Sequence, residues 1–103
     1  MFIYSVTIHI HKDNEGEWIE FMKQKHIADV LNTGYFTKAI MRKIIHNDNE
    51  NHVSYNTEYF TETIEKYDSY VQLAAPVLQK DVLDKFGGKF TAERKFYEEI
   101  IEF

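Results

Sequence analysis

Apolar and polar side chains alternate along residues 2–11. Phe2, Tyr4, Val6, Ile8 and Ile10 fall on one side, and Ile3, Ser5, Thr7, His9 and His11 on the other, which is the period of two of a strand. The spacing changes after Lys12. Trp18, Ile19, Phe21, Met22, Ile27, Val30 and Leu31 recur at helical intervals, Asn14 and Glu17 have the spacing of a capping box, and Thr33-Gly34 supplies a glycine stop. Two strand-like runs, 36–46 and 52–60, flank Asn47-Asp48-Asn49-Glu50-Asn51, all turn formers or acids, and read as a hairpin. With His46 opposite His52, Ile45 faces Val53, Met41 faces Thr57 and Arg42 faces Asn56, which leaves Arg42 diagonal to Glu58. Residues 61–86 make a second helical stretch, with Thr61 as its cap and Ile64, Tyr67, Val71 and Leu73 or Ala74 as its buried stripe. Pro76 should break it and can open a further helix carrying Val77, Leu78, Val82, Leu83 and Phe86, ended by Gly87-Gly88. A last strand, 90–98, has Phe90, Ala92, Arg94 and Phe96 on one side.

The order β-α-β-β-α-β predicts an α+β, ferredoxin-like domain: a four-stranded antiparallel sheet in the order 4-1-3-2 with both helical connections on one face. Composition narrows the picture. A chain of 103 residues fits one domain, 1–103, and seven Tyr, eight Phe and one Trp give it a core. The absence of cysteine excludes disulfides, a thiol nucleophile and thiolate metal sites. A net charge of -5 with scattered basic residues argues against nucleic acid as a partner. No apolar run is long enough to span a membrane and no leader is evident, so a cytoplasmic location is expected.

Two helical connections cover one side of such a sheet. The other side would carry Ser5, Thr7, His9, Arg42, Ser54, Asn56 and Glu58 together with Ile3, Ile40 and Ile44. A solvated face is one reading. The isoleucines and the aromatic Phe96, Tyr97 and Phe103 favour another, a homodimer with its sheets face to face, in which Thr7, His9, Arg42, Asn56 and Glu58 meet the second copy.

Met1-Phe2-Ile3-Tyr4 with Val6 and Ile8, Glu17-Trp18 with Met22 and His26-Ile27, and Val30 with Thr33-Gly34-Tyr35-Phe36 resemble a small bacterial family of unknown function. The likeness continues through Arg42, Glu58-Tyr59-Phe60, Ala75-Pro76, Leu78, Phe86-Gly87, Phe90, Ala92 and Arg94, and so covers residues 1 to about 98. That family is placed in the dimeric α/β-barrel superfamily, which implies the dimer. The superfamily mixes cofactor-independent monooxygenases, haem-degrading enzymes, isomerases and ligand-binding proteins, so the resemblance implies a fold rather than an activity. The Asn, Trp and His pattern of the haem-degrading members is missing.

Trp18, Met22 and His26 climb one stripe of the first helix with a drift of roughly 40° per step. His26 therefore enters the apolar arc, over the sheet. One reading is a core histidine satisfied by a tyrosine hydroxyl or a carbonyl; the other is a neutral imidazole in a helix–sheet cleft, serving as general base, with burial lowering its pKa. Tyr4, Trp18, Met22 and Tyr55 are expected to line the same space as ligand-binding residues. Arg94 either points into that cavity and binds a carboxylate or phenolate, or enters the dimer seam, or pairs with Glu58, the ion pair being preferred. His9 and His11, with His52 and His46 near the same edge, invite a metal reading, but same-face neighbours on a strand lie about 7 Å apart, so no metal is assigned. No phosphate loop, nucleophile elbow, dinucleotide fingerprint or H-E-x-x-H occurs, and no cofactor is expected. Two functions follow: a homodimeric binder of a small molecule, acting as a cofactor-independent monooxygenase- or isomerase-like enzyme through His26, or a non-enzymatic dimerisation or protein-interaction module.

Overall fold

The computed structural model describes residues 1–46 and 49–103. Strands β1 (Phe2–His11), β2 (Lys38–Lys43), β3 (His52–Thr61) and β4 (Phe90–Glu98) form an antiparallel sheet in the order β2-β3-β1-β4. Helices α1 (Glu15–Phe21) and α2 (Ile27–Asn32), joined by a wide π turn at Met22–His26, connect β1 to β2. Helices α3 (Ile64–Leu73) and α4 (Ala75–Phe86) connect β3 to β4. Both connections pack on the face that carries Tyr4, Val6, Ile8 and Ile10. This is the ferredoxin-like α+β architecture expected from the hydrophobic pattern. Among the described residues, no helix is long and apolar enough to cross a membrane.

The register arranges the helix-facing side in rows. Ala39, Tyr59, Tyr4 and Phe96 form one row, Met41, Thr57, Val6 and Arg94 the next, and Lys43, Tyr55, Ile8 and Ala92 the third. The first row belongs to an apolar cluster with Val30, Phe36, Tyr70 and Ala75; the third belongs to another, with Ile10, Trp18, Phe21, Met22, Val53, Val82 and Phe86. Val6 and Ile27 touch both clusters. At the centre of the sheet, the middle row carries only the short side chains Val6 and Thr57, and the two clusters do not close over it.

The wide turn sets the phase of the helix above. Residues at i+4 drift by roughly 40° per step in an α-helix, so Trp18 and Val30, three steps apart, would diverge by roughly 120°. One extra residue in a π turn takes back roughly 100°. Trp18, Met22 and Val30 are accordingly all buried, and His26 stays on their line.

Several boundaries differ from expectation, each for a local reason. β2 stops at Lys43 rather than continuing to residue 46; Ile44 donates a last N–H to Ser54 O at 2.9 Å, and His46 adopts φ 63°, which takes the chain out of the pleat. Ile45 is exposed and does not reach Val53 in a ladder. Asn47 and Asp48 of the expected turn lie outside the described residues. The box of Asn14 and Glu17 is not made. A 3-10 turn, Lys12–Asn14, precedes α1, and His11 Nδ1 accepts the Asp13 N–H instead, at 3.2 Å. Thr61 is no cap either: fully buried in β3, it donates its hydroxyl to Tyr35 O at 2.7 Å, while Thr63 accepts the Lys66 N–H. On α3 Tyr70 is buried, with Tyr67 and the following Ala74 half-buried beside it and Ile64, Val71 and Leu73 exposed. Pro76 does separate the helices, sitting in the first turn of α4. That helix ends at Gly87, whose N–H reaches Leu83 O at 2.8 Å; a Cβ there would meet the same oxygen at 2.6 Å.

Phe86 is fully buried and meets the Trp18 and Phe21 rings edge-on, each at 5.4 Å. Phe86→Ala should cost about 3–5 kcal/mol, read as a lowered urea midpoint at unchanged slope. A loss below about 1 kcal/mol would show that this layer collapses to refill the space.

Candidate functional site

The seam between the two clusters is a cavity of about 40 Å³. That is room for about three waters. Its floor is the middle row with its neighbours, Val6, Thr57, Arg94, Tyr4, Ile8 and Tyr59; its roof is Trp18, Met22 and His26 from the split helix and Tyr70, Gln79 and Val82 from α3 and α4. Arg94, on the edge strand, is its exposed member, so the mouth lies on the β4 side.

The wide turn brings His26 over this space. Its ring stacks on Phe21 at 5.6 Å and 23°, and its Nδ1 is buried with no hydrogen-bond partner among the described residues. Trp18 Nε1 is in the same condition. A buried polar atom without a partner costs about 1–3 kcal/mol, so two such atoms on residues that line one cavity single it out as the candidate site. Burial lowers the His26 pKa from 6.5, the charges of Lys25 and Arg94 adding to the effect, while Asp29 and Asp81 oppose it. The imidazole is therefore neutral at pH 7. Burial raises the Tyr4 phenol above the usual tyrosine range, the nearby Arg94 charge opposing it in part. Tyr59 and Tyr70 are pushed up by burial in the same way, and all three phenols stay protonated. The site combines a neutral base, neutral hydroxyls and one cation.

Tyr4, Trp18, Met22, His26 and Arg94 thus meet at one cavity. Tyr55 does not. It stands in the next row, and its hydroxyl donates to Glu15 Oε2, which also receives Lys43 Nζ at 3.2 Å. Tyr59, two inward positions along β3, occupies the place expected for Tyr55. The preferred pairing of Arg94 with Glu58 is also overturned, because the two project from opposite faces and Glu58 pairs with Arg42. Thr57, Tyr70 and Gln79 were missed. A threonine at an inward strand position and a glutamine between Leu78 and Val82 were the signals available.

The opposite face of the sheet is a polar network. Asn56 Nδ2 donates to Ser5 Oγ at 2.8 Å and to Thr7 Oγ1 at 3.1 Å, His9 Nδ1 lies 2.6 Å from Ser54 Oγ, and Arg42 meets Glu58. All five residues expected at a dimer seam share this face. At the sheet edge, the His11 and His52 rings meet edge-on at 5.6 Å. Among the described residues, no three metal-ligating side chains converge there or elsewhere.

Fold and cleft together define a ferredoxin-like α+β protein with a small, partly polar cavity between sheet and helices. The chain belongs to the DUF4286 family, a domain of unknown function, whose profile matches residues 1–100. Solved structures share the fold at low identity. An ethyl tert-butyl ether D (EthD) family protein from Bacillus halodurans has a TM-score of 0.69 at 12% identity, covering 97% of this chain and 100% of its own. A dimeric ferredoxin-like protein from an uncultured marine organism has 0.66 at 17%, covering 100% and 98%. SnoaB, a cofactor-independent oxygenase from Streptomyces nogalater, has 0.63 at 9%, covering 98% and 95%. No curated protein matches the chain.

The lowered His26 pKa makes stability depend on pH. Folded protein takes up that proton less readily than unfolded chain, so this contribution is complete above 6.5 and is lost as pH falls from 6.5 through the lowered folded value. Urea midpoints should therefore drop between about pH 7.5 and pH 5.5, and His26→Phe should shrink that drop. An equal drop in the variant would mean that His26 is not the group responsible.

Proposed function

We propose that the protein is a homodimer that binds a small organic molecule in the helix–sheet cavity, where His26, as a neutral imidazole, removes a proton from an activated carbon or hydroxyl. The observation that carries this reading is a cavity lined by both His26 and Trp18, each of which holds a buried ring nitrogen without a hydrogen-bond partner among the described residues. In the proposed step the C–H or O–H bond breaks, the proton goes to the imidazole, and the electron pair stays on the guest as an enolate or phenolate. Donors at the cavity wall then face the developing negative charge, the arrangement that stabilises such an anion most. An imidazole that burial keeps in its neutral form can take up a proton, as this work requires. The fold likeness to a cofactor-independent oxygenase supports the same class of chemistry by analogy.

The dimer reading is supported by the polar network on the open face and by relatives described as dimeric. Ile3 and Ile40 border that network, and its hydrogen bonds are already made within one protomer, so a second copy would cover a wet, prearranged surface without leaving buried donors unpaired. Thr7 lies near its centre, opposite Asn56.

Two measurements test the proposal. Acetone in D2O, followed by NMR, should exchange its α-hydrogens faster with the protein than without it, and His26→Gln should lose about 100-fold or more of that acceleration. Exchange that is unaffected by His26→Gln, or no acceleration at all, would refute the base. Sedimentation should give a dimer at micromolar concentration and a folded monomer for Thr7→Arg; a monomeric wild type would refute the assembly.

A further inference from the structure

Arg94 is a cation placed where an apolar core residue would serve packing better. It projects from the middle of β4 toward the helices, in the row of Val6 and Thr57, with Phe96 and Ala92 as its inward neighbours. No carboxylate lines the cavity, and among the described residues Arg94 forms no ion pair, although Lys25, Arg42, Lys43 and Lys80 each meet a carboxylate. Its charge acts on the neutral Tyr4 phenol, which leaves its five N–H donors without an anion. The polar groups at the cavity therefore carry one unbalanced positive charge, beside the aromatic side chains of Tyr4, Tyr70 and Trp18.

From this imbalance we infer that the guest is a small carboxylate, held at the mouth by the Arg94 fork with its short apolar part toward His26. Guanidinium matches two coplanar oxygens at once, which selects a carboxylate over a neutral amide or a single-oxygen phenolate. The volume, room for about three waters, limits the inserted part to a short chain. This assignment rests on the cleft reading above and adds the charge and shape of what enters. It also divides the labour. Arg94 is the anchoring residue, and His26 the group that meets the carbon beyond the anchor.

The experiment uses propionate and propionamide, which have the same shape and differ in charge. Trp18 is the sole tryptophan, so its fluorescence reports on the cavity directly. Propionate should change it saturably, with propionamide at least about tenfold weaker, and Arg94→Gln should erase the preference, while Arg94→Lys, which keeps the charge without the fork, falls between. Because Arg94 is exposed, both variants are expected to fold, and unchanged circular dichroism checks this. Equal binding of the two probes, or a preference that survives Arg94→Gln, would overturn the carboxylate assignment and leave a cleft that binds neutral molecules. No response to either probe, alongside His26-dependent exchange of acetone, would overturn it as well; without that exchange, the cleft reading falls too.

Discussion

The wide turn at Met22–His26 is the constraint on which the site depends. A regular helix from Glu15 to Asn32 cannot keep residues 18, 22, 26 and 30 over one line of the sheet, because their drift would carry the last of them toward solvent. One extra residue in the turn straightens the stripe. The consequence is double: Trp18 and Val30 anchor the two ends of the helix in separate apolar clusters, and His26 is held between them at the point where those clusters part.

The sheet makes the matching contribution. Tyrosines in the flanking rows hold the helices off the surface, while Val6 and Thr57 between them are too short to fill the gap. The cavity is thus a product of side-chain lengths along a cross-strand row rather than of a loop or insertion. Burial then fixes the protonation states, with imidazole and phenols neutral and Arg94 the one charge at the rim. On the opposite face, polar side chains of the same two central strands satisfy one another. Alternation along β1 and β3 therefore builds a chemical cavity on one side and a prearranged polar surface on the other.

Much of the fold was legible in the sequence because periodicity reports burial directly. The alternation in residues 2–11 and the hairpin register of Met41 with Thr57 and Arg42 with Asn56 are set by which faces are apolar, and both appear in the structure. Local capping was less legible. Asn14 holds the cap position of α1 without a side-chain bond, because a 3-10 turn capped by His11 precedes it, and Thr63 rather than Thr61 caps α3, because β3 runs through Thr61. Tyr55 and Tyr59 are indistinguishable by pattern, since both point inward; only the β1–β3 register separates the one beside Ile8 from the one beside Tyr4. Arg94 required the same information. Its helix-facing position was one of the options open from the strand alternation, and the pairing with Val6 decides it. The wide turn had no sequence signature at all, because it arises from tertiary packing of the stripe.

The central claim is that His26 is held as a neutral imidazole at the seam between the two clusters. Long-range proton–nitrogen NMR of the histidine rings across pH 5 to 8 tests it most directly. The account predicts that His26 remains a single neutral tautomer down through 6.5, its midpoint lying below that ordinary value, and that its ring nitrogen shifts move when a guest enters the cavity. A midpoint at or above 6.5, with ring signals indifferent to any guest, would contradict it.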